Sequence, residues 1–174
     1  MDLLDQLRSG DRRSVRGVDE VVELVRRQPA LFGQLVAGMQ HDDALVRMRS
    51  ADAAEKLTRD HHDWLQPHKP ILLNTLSACE QQEVRWHVAQ MLPRLTLTKP
   101  ERRRAMRVLN GYLQDQSRIV QVSALQAMSD LCQQDVAFKP QVVDIIQTQL
   151  AIGSPAVKAR CRKLLKQLGV NGAN

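Results

Sequence analysis

Apolar and small residues along this chain fall into stripes of helical period, separated by short polar breaks. The clearest stripe occurs four times. VRMRSADAAEKL from Val46, VRWHVAQMLPRL from Val84, VQVSALQAMSDL from Val120 and VKARCRKLLKQL from Val157 align without gaps, at spacings of 38, 36 and 37 residues. Each opens on Val followed by Arg, Gln or Lys, and each reaches Leu eleven positions on, at Leu57, Leu95, Leu131 and Leu168. Counted from the Val, apolar or small side chains occupy offsets 0, 4, 7, 8 and 11 in every segment. On a helix turning 100° per residue these positions lie within about 60° of one direction, so they predict one buried face. Each segment is read as the second, or B, helix of a repeating unit.

A second apolar-periodic segment, the A helix, precedes each B helix. Pro29 opens the first, and Lys69-Pro70, Lys99-Pro100 and Lys139-Pro140 open the others. Proline suits a first helical turn, where its missing N–H has no partner in any case. Thr98 with Glu101 reads as a capping box, and Ser154-Pro155 as a cap followed by proline. The A-to-B turns carry Asp42-Asp43, Gln81-Gln82, Asp115-Gln116-Ser117 and Gly153-Ser154. Upstream, MDLLDQL and SVRGVDEVVELVRRQ predict a degenerate pair that covers the end of the stack. The expected organisation is capping helices over 1–28 and four units over about 29–66, 67–97, 98–135 and 136–169. Gly169 marks a helix stop, with a disordered tail over 170–174.

The hairpin period and the Val-Arg-x-x-(Ala)-(Ala) opening of helix B resemble the HEAT-repeat family of armadillo-like proteins, over roughly residues 29 to 168. The resemblance implies an all-α fold, a right-handed α-solenoid of antiparallel helical hairpins. HEAT repeats carry an Asp in the A–B turn and an Arg early in helix B, which form a ladder between units. Asp43 with Arg47 matches; Arg85 has Gln81 where the Asp would stand. Ser117 with Gln121 and Ser154 with Lys158 depart further, so the third and fourth units are expected to rely on packing.

Composition agrees with helix. Aromatics make up 3% of 174 residues, too few for the pleated faces of a sandwich or barrel. No apolar run nears the roughly 20 residues of a membrane span, and the acidic, amphipathic start lacks the apolar region of a secretory signal. Cys79, Cys132 and Cys161 are odd in number and sit in apolar-periodic stretches, as reduced thiols in a cytoplasmic protein would. The net charge of +6 is uneven: residues 1–66 hold 10 basic and 12 acidic side chains, residues 67–174 hold 15 and 7. The second half therefore points to an anionic partner or to a solvated basic surface.

Little in the chain suggests catalysis. His61, His62 and His68 cluster with Asp63, but adjacent histidines do not readily share one tetrahedral ion and no Cys lies nearby. The expectation is a solvated polar loop with Trp64 packed against a hairpin end, and no metal or cofactor. Di-iron enzymes with HEAT-like repeats use His-Glu dipeptides, and none occurs here. Phosphate loops and nucleophile elbows are also absent. DNA glycosylases built from HEAT-like repeats remain an alternative, since Trp86 has carboxylates near it in sequence, but no specific motif supports them. No catalytic residue is assigned, and a non-enzymatic binding module or scaffold is expected.

Two sets of residues are candidates for binding. Offsets 2, 6 and 9 of each B helix point away from the stripe, toward the expected concave face. Offset 2 holds Met48, Trp86, Val122 and Ala159, an apolar row that either forms a groove for a protein partner or is buried between units. Gln90 and Gln126 lie at offset 6, and Glu55, Pro93, Ser129 and Lys166 at offset 9. The alternative, nucleic acid or another polyanion, would use Arg102, Arg103, Arg104 and Arg107 on the third A helix and Lys158, Arg160, Lys163 and Lys166 on the last B helix. A and B helices are expected on opposite sides, which argues against one continuous basic track. The partner is unknown; no membrane association and a monomer are expected.

Overall fold

A computed structural model describes residues 3–8 and 16–170, and among them every regular element is helical. Residues 1–2, the link at 9–15 and all of the expected 170–174 tail but Val170 lie outside the described residues. The α-helices are α1 (Leu3–Arg8), α2 (Arg16–Arg27), α3 (Phe32–Gly38), α4 (Ala44–Thr58), α5 (Lys69–Leu73), α6 (Gln82–Met91), α7 (Lys99–Tyr112), α8 (Arg118–Gln134), α9 (Lys139–Ile152) and α10 (Pro155–Gln167). Short 3-10 turns occupy Pro29–Leu31, His62–His68, Leu76–Ala78, Leu92–Arg94 and Val136–Phe138.

The chain divides into two compact units between Thr96 and Leu97. In the first, α4 is the central helix, packed against α1, α2, α3 and α6. In the second, α8 packs against α7, α9 and α10, and α9 against α10. The repeating stripe explains this packing: every residue at offsets 0, 4, 7, 8 and 11 is buried except Leu168, which is half-buried. α4, α6, α8 and α10 are therefore the four B helices. The upstream segment belongs to the first core as well, with Leu3, Leu7, Val18, Val21 and Val25 all buried.

Local chemistry sets the helix ends. The Glu101 carboxylate accepts from the Thr98 backbone N–H at 2.7 Å and from its hydroxyl at 2.9 Å, starting α7. Ser154 caps α10, which begins at Pro155. At the end of α10, Gly169 takes a φ of 71°, and the Val170 and Gly169 N–H groups donate back to the Leu165 and Lys166 carbonyls. That is a Schellman stop, and only glycine adopts it without strain. Gly38 ends α3 where a side chain would collide with Ser50 on α4 and with Leu4 on α1, so glycine permits that close crossing.

The A helix of the second hairpin departs from expectation. Instead of one helix from Pro70, it is the five residues of α5 and a separate 3-10 turn. The Asn74 side chain donates to the Pro70 carbonyl at 2.7 Å, and the Ser77 hydroxyl to the Leu73 carbonyl at 2.9 Å. Such side-chain bonds compete with the helical ladder and favour a break.

Leu125 on α8 is fully buried. Leu125→Ala is expected to destabilise the protein by about 2–5 kcal/mol. Because repeats contact chiefly their neighbours, hydrogen exchange is expected to accelerate over α7–α10 well before α1–α6. Equal acceleration throughout the chain would show full cooperativity instead.

Candidate functional site

The site begins where α4 and α6 start side by side. Asp43 caps α4 by accepting from the Leu45 N–H at 2.8 Å. Arg47, one position after the first Val, donates to the His41 and Asp42 carbonyls at 2.7 and 2.9 Å, closing its own A–B turn. Its Nε reaches the next turn, donating to Gln81 Oε1 at 2.7 Å, and Gln81 Nε2 donates back to the Ala44 carbonyl at 2.9 Å. The ladder step thus runs from Arg47 to Gln81, while Asp43 serves as the cap. The same position closes the turn in later hairpins. Arg85 donates to the Cys79 carbonyl and Gln121 to the Asp115 carbonyl, each six residues back at 2.7 Å.

This clip holds open a groove of about 340 Å³ between the starts of α4 and α6, lined by Leu45, Met48, Arg47, Gln81 and Glu83. Met48 is half-buried there. Trp86 on α6 is also half-buried, with its indole tilted against His87 at 5.4 Å, and Gln90 one turn on is exposed. In the second unit Val122 is half-buried and Ala159 exposed. Gln126 is engaged: its amide accepts from Arg160 at 2.7 Å and donates to Asp130 at 2.8 Å, joining α10 to α8.

Offset 9 is not uniformly open: Lys166 is exposed and Pro93 half-buried, but the other two positions are buried. Glu55 and Ser129 are each only 2% exposed. Glu55 accepts from Arg59 Nη2 at 2.6 Å and from Arg94, whose other nitrogen donates to the Glu55 carbonyl and the Thr58 hydroxyl at 2.8 and 2.9 Å. Arg94 lies on the 3-10 turn after α6, so this cluster locks the ends of two neighbouring hairpins. Burial raises the Glu55 pKa, but bonds and charges from Arg59 and Arg94 outweigh it and leave the carboxyl below its ordinary range. His87, buried beside the cluster, is also shifted down but for a different reason: desolvation lowers its pKa against the pull of Asp52 and Glu55. The i,i+4 spacing of Glu55 and Arg59 was readable in the sequence; the contribution of Arg94 was not.

The basic candidates separate. Arg102 is committed to the fold, paired with Asp135 at 2.8 Å and donating to the Leu97 carbonyl at 2.8 Å. Arg103, Arg104 and Arg107 are exposed, and of these Arg103 and Arg107 line a common groove with residues of α9. On α10, Lys163 and Lys166 are exposed, Lys158 is half-buried and Arg160 is tied to Gln126.

The histidine segment is a 3-10 turn rather than a solvated loop, anchored by buried Leu65. His61 stacks on Trp64 with centroids 4.3 Å apart, Trp64 meets Phe32 edge-on at 5.6 Å, and His68 lies 5.7 Å from Phe32. Ring packing organises these side chains, and burial lowers the His68 pKa. Among the described residues no three His, Cys, Asp or Glu side chains are grouped to hold a metal ion. Burial also pushes the Cys132 thiol up to about 11 and raises that of Cys161, which keeps both protonated and unreactive near neutral pH.

The family model for the HEAT repeat domain matches residues 6–168. The match therefore includes much of the upstream segment along with the four B helices. No curated protein gives a significant match to the chain.

The titration of His87 and Glu55 has one sign. The unfolded chain regains the ordinary values of 6.5 and 4.5, so just below each of them it binds more protons than the folded chain. Each contribution is present above the unfolded value and is lost as pH falls through the folded one. The melting temperature is expected to drop between about pH 7 and 5.5 in the native protein and less in His87→Gln. A second drop, below about pH 4.5, is expected to shrink in Glu55→Gln. A native profile that stays flat down to about pH 5 would contradict the first step.

Proposed function

The chain belongs to the HEAT repeat domain family, and from that premise we propose that it is a non-enzymatic scaffold that binds a partner protein through its B-helix surface. The observation that carries the reading is the first unit's groove, where Leu45 and Met48 sit half-buried at the start of α4; Trp86, half-buried on α6, does not line it but follows Glu83 by about one turn. Partly exposed apolar side chains ringed by Arg47, Gln81 and Glu83 have the make-up of an interface centre with a polar rim. In this reading Met48 and Trp86 are anchors and Gln90 belongs to the rim. Val122 contributes an apolar contact on the second unit. Gln126 is a structural tie with part of its amide already used.

The second reading, a polyanion held by the basic half, draws on exposed Arg103, Arg104, Arg107, Lys163 and Lys166. Arg102 and Arg160 are occupied by Asp135 and Gln126, which thins both basic sets. A reducing, cytoplasmic setting suits three free cysteines, two of them buried. Among the described residues no helix is long and apolar enough to cross a membrane.

The test compares native protein with Trp86→Ala in affinity purification from the native host, with and without nuclease. Capture of a protein that survives nuclease and moderate salt is expected, with loss of about tenfold or more in Trp86→Ala at a nearly unchanged melting temperature. Capture that depends on nucleic acid and falls steeply with salt would favour the polyanion reading. A Trp86→Ala protein that unfolds would show the indole to be core.

A further inference from the structure

The second unit carries a groove of about 800 Å³ between α7 and α9 that the B-helix surface does not use. Its apolar part is Met106, which is buried, with half-buried Phe138 and Ile145. Arg103 and Arg107 stand one turn apart along the α7 side, and Asp144 lies on the α9 side; all three are exposed. Among the described residues neither arginine has an ion-pair or side-chain hydrogen-bond partner, in contrast to Arg102, which Asp135 holds. Arg104, the next residue along α7, does not line the groove. Of the arginine run, then, two guanidinium groups are directed together over an apolar floor.

We propose that this groove docks an acidic segment of a partner protein, with two carboxylates on Arg103 and Arg107 and an apolar side chain seated over Met106 and Phe138. Charge complementarity selects this occupant. A guanidinium matches a carboxylate as a two-bonded fork, and two forks spaced i,i+4 accept acidic groups about one helical turn apart. The apolar floor rewards a side chain that a phosphate backbone does not have. Asp144 sits in the same groove and repels a continuous polyanion, whereas a peptide can set an amide or a cation opposite it. This groove lies wholly within the second unit and shares no lining residue with the groove at Met48.

The experiment uses the full chain and a fluorescein-labelled peptide of about a dozen residues in which Asp and Glu alternate with Leu, read by anisotropy. Two controls are the same peptide with Asn and Gln in place of the acids, and labelled oligothymidylate of similar length. The acidic peptide is expected to bind about tenfold or more tighter than either control. Arg103→Glu combined with Arg107→Glu is expected to weaken it about tenfold or more, and Asp144→Asn to tighten it a few-fold, roughly, by removing a like charge. All three side chains are exposed, so melting temperatures are expected to hold. The proposal is overturned by an acidic peptide that does not bind, by equal affinity in the double variant, or by oligothymidylate binding as tightly as the peptide.

Discussion

A two-helix hairpin has no interior of its own, so its apolar stripe must be covered by a neighbour, and everything else in this protein is arranged around that need. The residues at offsets 0, 4, 7, 8 and 11 of the B helices meet it almost without exception. Small side chains set how close the neighbours come. Ala53 and Ala54 on α4 occupy offsets where the second hairpin has Met91 on α6 and Leu92 on the turn after it, and Gly38 lets α3 and α1 press against α4. α4 is thereby covered from several sides, by α1, α2, α3 and α6.

Polar groups at the turns hold the hairpins in register without defining the core. Arg47, Arg85 and Gln121 occupy one position and do one thing, closing the turn by donating to a carbonyl six residues earlier. The chemistry shared by Arg and Gln is a long side chain with N–H donors, which is why Gln121 substitutes without loss of the bond. Arg47 also bonds across to the next turn, through Gln81. The far ends of the same hairpins are joined by ions, with Glu55 between Arg59 and Arg94. Removing Arg94 from the buried Glu55 carboxylate costs on the order of 3–5 kcal/mol, whereas the largely exposed Arg59 contributes less.

These ties decide which polar residues remain for binding. Arg102, Arg160 and Gln126 look like surface groups but are used by the fold, while Arg103, Arg107, Lys163 and Lys166 are not. Met48 and Trp86, both half-buried, lie on the two hairpins that the Arg47–Gln81 and Arg94–Glu55 contacts join. A rigid surface loses little freedom on binding, which favours affinity for a given contact area.

The helical class, the four B helices and their buried faces were legible in the sequence, because a helix turns by a constant angle and a stripe of period 3.6 names its own inward side. The capping box at Thr98, the cap at Ser154 and the stop at Gly169 were legible for the same reason: their chemistry is complete within a few residues. What covers the other faces of a helix is not a local property. Glu55 and Ser129, at an offset that points away from the stripe, are buried, and Arg94 reaches Glu55 from 39 residues away. The split of the second A helix and the ring stack at His61 and Trp64 likewise depended on contacts that a periodic pattern does not encode. That Arg102 is held by the fold was decided by where Asp135 comes to rest, and that Arg160 is tied by where Gln126 does. Period and spacing set each helix's inward face, but only the packing of one hairpin on another determines the fate of the rest, since that depends on side chains brought together from distant positions in the chain.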